Sequence, residues 1–327
     1  MVLVSRGITI QKKSLIKEEI KDNIEINGSF SLTLDAWIAI NQDAYLGITL
    51  HFINKNFELK SYLLWIRDLK EPHLGRYLIE ELLKSLQDYN IEYNISSITR
   101  DNASSNDTLI KELRSYYDIS GIVFQGDISC IAHVLNLVVQ DILKAIIKEA
   151  YNDLDNIDIY NIENEEEVED IIPNNQKTRW SSIANMLKDL LNLWLAIKLV
   201  ITSSKSKVFK TNRDILLLKD SDIQYLEKCL KIFNIFIKAT TKLQADKYPT
   251  IYYLIPEVYN IYTRLENIRE ELNDPVFRDA INKGIAKLRK YYPKQGINLN
   301  NRALYLSLIL DPRIKRDGLE LIGLTRG

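Results

Sequence analysis

The chain has 327 residues, 46% of them hydrophobic, with 43 Lys and Arg against 44 Asp and Glu. That length accommodates two domain-sized units with a sizeable core, and the charge balance excludes a globally basic surface, so any nucleic-acid contact has to come from local patches. The two cysteines, Cys130 and Cys229, lie far apart, which excludes a disulfide framework, and no apolar run approaches the roughly 18 residues of a membrane span.

Met1–Ile10 lack the apolar core of a signal peptide, and the expectation is a soluble, intracellular protein with no membrane partner. Residues 1–30 read as a helical lead-in. Three β-rich stretches follow, Ser31–Trp37, Ala44–Ile53 and Phe57–Arg67, separated by Asn-Gln-Asp and Asn-Lys-Asn turn clusters. They predict an antiparallel meander. Gly75–Tyr89 carries Leu78, Leu82, Leu83 and Leu86 at helical spacing, and Ile95–Thr99 is a short β-branched run. A further helix is expected from about Ser105, and Cys130–Glu149 is apolar on most faces, as a buried helix is.

This order of strands and helices is that of a mixed α/β, RNase H-like fold, partial here and assigned to residues 31–148. Glu149–Asp170 holds ten acidic residues and no Lys or Arg, a composition that repels itself and buries little. Residues 149–177 are therefore read as an acidic linker. Beyond Thr178 the pattern is almost wholly helical. One stripe runs through Leu226, Cys229, Leu230, Phe233, Phe236 and Ile237, another through Phe277, Ile281, Ile285, Leu288 and Tyr292. Residues 178–327 are assigned to a mainly α-helical domain.

Two aspartates stand out. Asp35 sits inside the first strand, where β-propensity disfavours it, and Asp101 directly follows the Ile95–Thr99 strand. Taken singly, each has a plain structural reading: a solvent-facing strand end for Asp35, a turn or helix cap for Asp101. Taken together they carry more, because an RNase H-like sheet sets the end of its fourth strand beside its first. Converging carboxylates are hard oxygen ligands suited to Mg²⁺ or Mn²⁺. Such ions assist in-line displacement at a phosphodiester.

The chain resembles the central region of hAT-superfamily cut-and-paste DNA transposases at several landmarks in the family's order. These are Asp35-Ala-Trp37, Thr99-Arg-Asp-Asn-Ala-Ser-Ser-Asn106, Cys130-Ile-Ala-His133, Thr178-Arg-Trp-Ser181, Lys247-Tyr-Pro-Thr250 and Leu310-Asp-Pro-Arg-Ile-Lys315. The resemblance spans about Ser5 to Lys315. It implies a helical insertion domain after the RNase H-like core, with Asp35 and Asp101 as catalytic, metal-binding carboxylates for Mg²⁺ or Mn²⁺. It also implies double-stranded DNA as partner, no small-molecule substrate, and a nuclear location. Trp37 and Trp180 would stack on an extruded base, with Arg179 and His133 close to DNA. For Trp180 a packed core ring is the competing reading; Trp65 and Trp194 match no motif and are assigned to packing.

A structural zinc takes four ligands and the remaining histidines are His51 and His73, so Cys130 and His133 do not read as a zinc site; the resemblance implies that they are a site-supporting pair. A buried thiol beside a hydrogen-bonded histidine is the competing reading. Lys283, Lys287, Lys290 and Lys294 share one helix face, either a phosphate-tracking surface or an ordinary solvated one.

Full-length members of the family begin with a BED-type zinc finger and end with a segment supplying a catalytic Glu and a dimerisation surface. No Cys/His cluster precedes Ser31, and the chain ends 14 residues beyond Arg313, with nothing around Glu320 resembling the Glu motif. The expectation is a transposase fragment that is inactive alone and could rely on a full-length transposase. The alternative is a non-catalytic, transposase-derived DNA- or protein-binding module.

Overall fold

A computed structural model of the protein describes residues 5–26, 28–38, 43–69, 75–101, 104–122, 124–152, 180–243, 250–292 and 302–313. The chain divides into two compact units. One comprises Met1–Val134, Ala245–Pro256 and Gln295–Gly327; the other comprises Leu135–Gln244 and Glu257–Lys294. This division puts residues 245–256 and 295–327 with the sheet, whereas the sequence reading groups them with the helical half.

The first unit opens with helix α1 (Ser5–Glu25). The meander follows as β1 (Phe30–Ile38), β2 (Ala44–Ile53) and β3 (Leu59–Leu69). Then come α2 (Gly75–Gln87), β4 (Ile95–Arg100), α3 (Ser104–Ile119), β5 (Gly126–Ser129) and the start of α4 (Ile131–Asn152). The five strands form one sheet in the order β3-β2-β1-β4-β5. β1–β2 and β2–β3 are antiparallel, and β1–β4 and β4–β5 are parallel. The fold is thus a mixed α/β sheet followed by helices, as the sequence order implies.

Alternation in β1 explains its placement. Phe30, Leu32 and Leu34 are buried, whereas Ser31, Thr33, Asp35 and Trp37 lie on the opposite, wetter face. The buried set joins Leu46, Ile48 and Leu50 of β2 and Leu82, Leu86, Leu109, Leu113 and Tyr117 of α2 and α3 in one core. Two differences from the sequence pattern have local causes. β3 starts at Leu59 rather than Phe57 because Phe57 takes a left-handed φ of 61° in the hairpin. The Asn54 side chain holds that turn by accepting from the backbone N–H groups of Asn56 and Glu58. β5 escapes pattern reading because Gly-Asp-Ile-Ser contains one apolar residue, too few for a periodicity.

The second unit takes most of α4 together with α5 (Trp180–Ser203), the short α6 (Lys207–Thr211) and α7 (Arg213–Leu216), and α8 (Asp220–Leu243). It also holds most of α9 (Ile251–Leu272), which contains Pro256, and α10 (Pro275–Tyr291). The α8 and α10 stripes are buried as their spacing predicts, through Cys229, Phe233 and Phe236 and through Phe277, Ile281, Ile285 and Leu288. Asp274 caps α10 by accepting from the Val276 N–H, with Pro275 next to it. The last helix, α11 (Arg302–Leu310), belongs to the first unit, where the Ala303 N–H donates to the Gln125 carbonyl at 3.2 Å. No helix among the described residues is long and apolar enough to cross a membrane. The expected linker falls largely on residues 153–179, outside the described residues.

Candidate functional site

The parallel β1–β4 register pairs Thr33 with Thr99 and Leu34 with Arg100. Asp35 is the next residue on β1 and Asp101 the first residue beyond β4, so the two stand side by side where β4 ends, on neighbouring strands about 4.8 Å apart. Their proximity has an electrostatic signature. The Asp35 carboxyl is held above its ordinary value, first by burial and then by the charge of Asp101. Two like charges brought together on a sheet edge are an arrangement that a divalent cation would relieve. Among the described residues no cluster of three or more His, Cys, Asp or Glu side chains is arranged to hold a metal. Among the described residues the donor set is therefore these two carboxylates.

Asp101 is held from behind. Asn106, on the first turns of α3 and 1% exposed, donates its side-chain N–H to Asp101 Oδ1 at 2.6 Å. The other Asn106 amide atom, Oδ1, is buried with no partner among the described residues. Arg100, itself buried, donates to the Asp101 carbonyl at 3.0 Å. Its guanidinium is gripped bidentately by Asp127 of β5, with both N–O distances 2.9 Å, and meets Asp107 of α3 at 2.7 Å. A fork held on two sides has little freedom, so the backbone at Asp101 is fixed by three elements at once. Arg100 and Asn106 fall inside the Thr99–Asn106 landmark without a role of their own there, and Asp127 falls in none; an Arg in a strand and an Asn in a helix carry no periodic signal.

Trp37 lies two residues beyond Asp35 on the same face, which alternation requires. Its ring stacks on Tyr45 of the antiparallel neighbour, with centroids 5.7 Å apart and planes at 27°, and it stays 40% exposed. Gly47, the register partner of Asp35, makes room for it: a Cβ there would stand 3.1 Å from the Trp37 ring. The exposed indole is thus seated beside the carboxylates rather than in the core.

A hydroxyl and imidazole ladder continues along this face. Thr33 Oγ1 meets His51 Nε2 at 3.0 Å, His51 Nδ1 meets Ser61 Oγ at 2.9 Å, and Ser31 Oγ meets Ser97 Oγ at 2.8 Å. Burial keeps His51 below its ordinary pKa, so the neutral ring is favoured.

Cys130 and His133 sit at the β5–α4 junction. The Cys130 N–H donates to the Arg100 carbonyl at 2.7 Å, which brings this motif to the end of β4 next to Asp101. Cys130 is a free, half-buried thiol. The first residue of α5, Trp180, is buried with its ring edge-on to Phe236 at 6.2 Å, the geometry of a packed core ring. Its neighbour Arg179 lies outside the described residues. Trp194 is buried; Trp65 is sandwiched by cations, with Lys13 4.4 Å and Arg67 4.2 Å from its ring. The lysine row of α10 is partly neutralised: Lys283 pairs with Asp279 at 2.7 Å and Lys287 with Asp141 at 3.1 Å, while Lys294 lies outside the described residues.

The Leu-Asp-Pro-Arg motif closes a clasp on the start of α9. Asp311, buried, takes both ends of the Arg313 guanidinium, at 3.0 and 2.9 Å, and the guanidinium lies 4.4 Å over the Tyr252 ring at the start of α9. The Asp311–Arg313 part of the Leu-Asp-Pro-Arg segment is thus tied to the start of α9, whereas most of the Tyr-Pro-Thr segment lies outside the described residues.

The family model of the ZBED1 RNase-like domain matches residues 33–127, the stretch that contains both aspartates. The zinc finger BED domain-containing protein RICESLEEPER 2 of Oryza sativa subsp. japonica is 24% identical over 88% of this chain and 41% of its own length. The transposable element Hobo transposase of Drosophila melanogaster is 24% identical over 85% of this chain and 40% of its own length. The putative AC transposase of Zea mays is 26% identical over 42% of this chain and 17% of its own length. The chain therefore spans well under half the length of these curated relatives.

Proposed function

Since the chain is a transposase-like protein of the hAT superfamily, we propose that its sheet edge is the two-aspartate part of a site for metal-dependent phosphodiester cleavage and strand transfer on double-stranded DNA. The observation that carries this reading is the convergence of Asp35 and Asp101 from adjacent parallel strands, close enough that one raises the pKa of the other. Mg²⁺ or Mn²⁺ bound there would polarise the phosphodiester and acidify an attacking water. The chain's own residues do the rest. Asn106 fixes one oxygen of Asp101, Arg100 fixes its backbone, and the two carboxylates present hard oxygens with positions left for water and phosphate. The exposed Trp37 face, beside the carboxylates, is suited to stack on an unpaired base. His133, at the β5–α4 junction, would lie close to the DNA.

Two carboxylates hold an ion less firmly than three, so cleavage by this chain alone is expected to be weak or nil. A full-length transposase is the partner best suited to complete the site. A DNA substrate also implies a nuclear location. The test is Mn²⁺-dependent nicking of a flanked DNA end, alone and with a full-length relative, beside Asp35→Asn and Asp101→Asn. Nicking lost in both variants supports the reading. Nicking retained in both overturns it, and DNA binding without nicking under any condition leaves a binding module.

A further inference from the structure

The seam between α8 and α9 in the helical unit is a ladder of charges with one rung inverted. At one end Lys242 pairs with Glu257 at 3.0 Å, and at the other Lys231 pairs with Glu271. The helices therefore run antiparallel along this seam. On α9, Glu257, Arg264 and Glu271 recur every seven residues, two helical turns, and on α8 Lys231 and Lys238 share the same spacing. One step inward from the Lys231–Glu271 rung, the register sets Lys238 opposite Arg264. Where a third carboxylate would close the ladder, α9 presents a second cation.

Lys238 and Arg264 line a single open groove of about 330 Å³. Neither has an ion-pair partner among the described residues. Asn234 and Asn267 line it as well and offer amide N–H donors. Its floor is apolar, formed by Ile235 and Ile268, which are 5% and 8% exposed. An apolar floor weakens water screening of the cations above it, so an anion seated between them gains more than it would over a hydrated surface. Two facing cations with no counter-ion destabilise the seam until one arrives.

We propose that this groove binds a phosphate of a nucleic-acid backbone. An open groove suits a chain that passes through it, whereas small-molecule sites enclose most of their ligand. A forked guanidinium beside an ammonium and two amides matches the donors that grip phosphate oxygens. The site needs no metal, and it stands apart from the reading of Asp35 and Asp101.

The test is fluorescence anisotropy with a labelled short duplex of mixed sequence, in EDTA, across a salt series, using the whole chain. Lys238→Gln with Arg264→Gln is expected to weaken binding about tenfold at low salt and to flatten the log–log salt slope by about 2. Arg264→Glu, which restores the missing rung opposite Lys238, is expected to lose binding at least as strongly while keeping or raising the melting temperature. That pairing of results separates lost contact from lost folding. Binding is read in EDTA, without any metal, so failure of the metal-site reading would not mimic failure here. Unchanged affinity and salt slope in the double variant would overturn the proposal. So would inorganic phosphate protecting the groove against thermal unfolding as well as the duplex does, since that marks a small-anion site.

Discussion

Asp35 is held in a place that costs stability. Its unfolded carboxyl titrates near 3.8, and in the fold burial and Asp101 hold it higher. As pH rises through that window the folded state keeps a proton that the unfolded state has released, so stability falls with rising pH; below the window both states are protonated and the penalty is absent. Asp35→Asn is therefore expected to stabilise the metal-free protein at pH 7, by under about 1 kcal/mol because the side chain is exposed to water. The gain should shrink at pH 4.5, and urea unfolding at the two pH values measures it. Added Mn²⁺ should stabilise the parent chain and leave the variant unchanged. Asp35 and Asp101 were legible in the sequence because a carboxylate inside a strand breaks local propensity. Asn106 and Arg100 were not, because their importance lies in what they touch across the fold.

Helix packing is set by close contacts that spacing alone does not reveal. The α10 stripe was readable from its period, but Gly284 within it was not marked by any turn or left-handed backbone. A Cβ there would stand 2.6 Å from Ile142 of α4, inside any real contact, so the glycine is what lets α4 and α10 approach. Gly284→Ala is expected to destabilise the protein by about 1–3 kcal/mol, the usual cost of overpacking, despite the better helix propensity of alanine. Chemical denaturation would read it, and a variant as stable as the parent would show that Ile142 can move aside. In the same way, the strand pattern around Gly47 gives no sign of its role, and its lack of a side chain is what seats the Trp37 ring beside Asp35.

At the level of the whole molecule the near-zero charge, −1 at pH 7, limits how DNA can be held. No long-range field draws a polyanion in, so binding rests on a few local phosphate contacts. The expected log–log salt slope is shallower than about −3, corresponding to some three displaced counter-ions or fewer. A much steeper slope would mean a larger basic surface than the charge balance supports.

The sequence by itself determined the strand meander, the helical stripes and the two out-of-place aspartates, because periodicity and propensity are local properties written in neighbouring residues. It also carried the order of motifs on which the resemblance to hAT transposases rests. Only the tertiary structure decided which motifs meet. It brought Asp35 and Asp101 to one sheet edge through a parallel register, tied Asp311 and Arg313 to the start of α9 in a structural clasp, and buried Trp180 against Phe236. It likewise set Lys238 opposite Arg264 in an antiparallel seam. Those facts depend on pairing between segments distant in the chain, and no local pattern encodes the register at which two such segments come to rest.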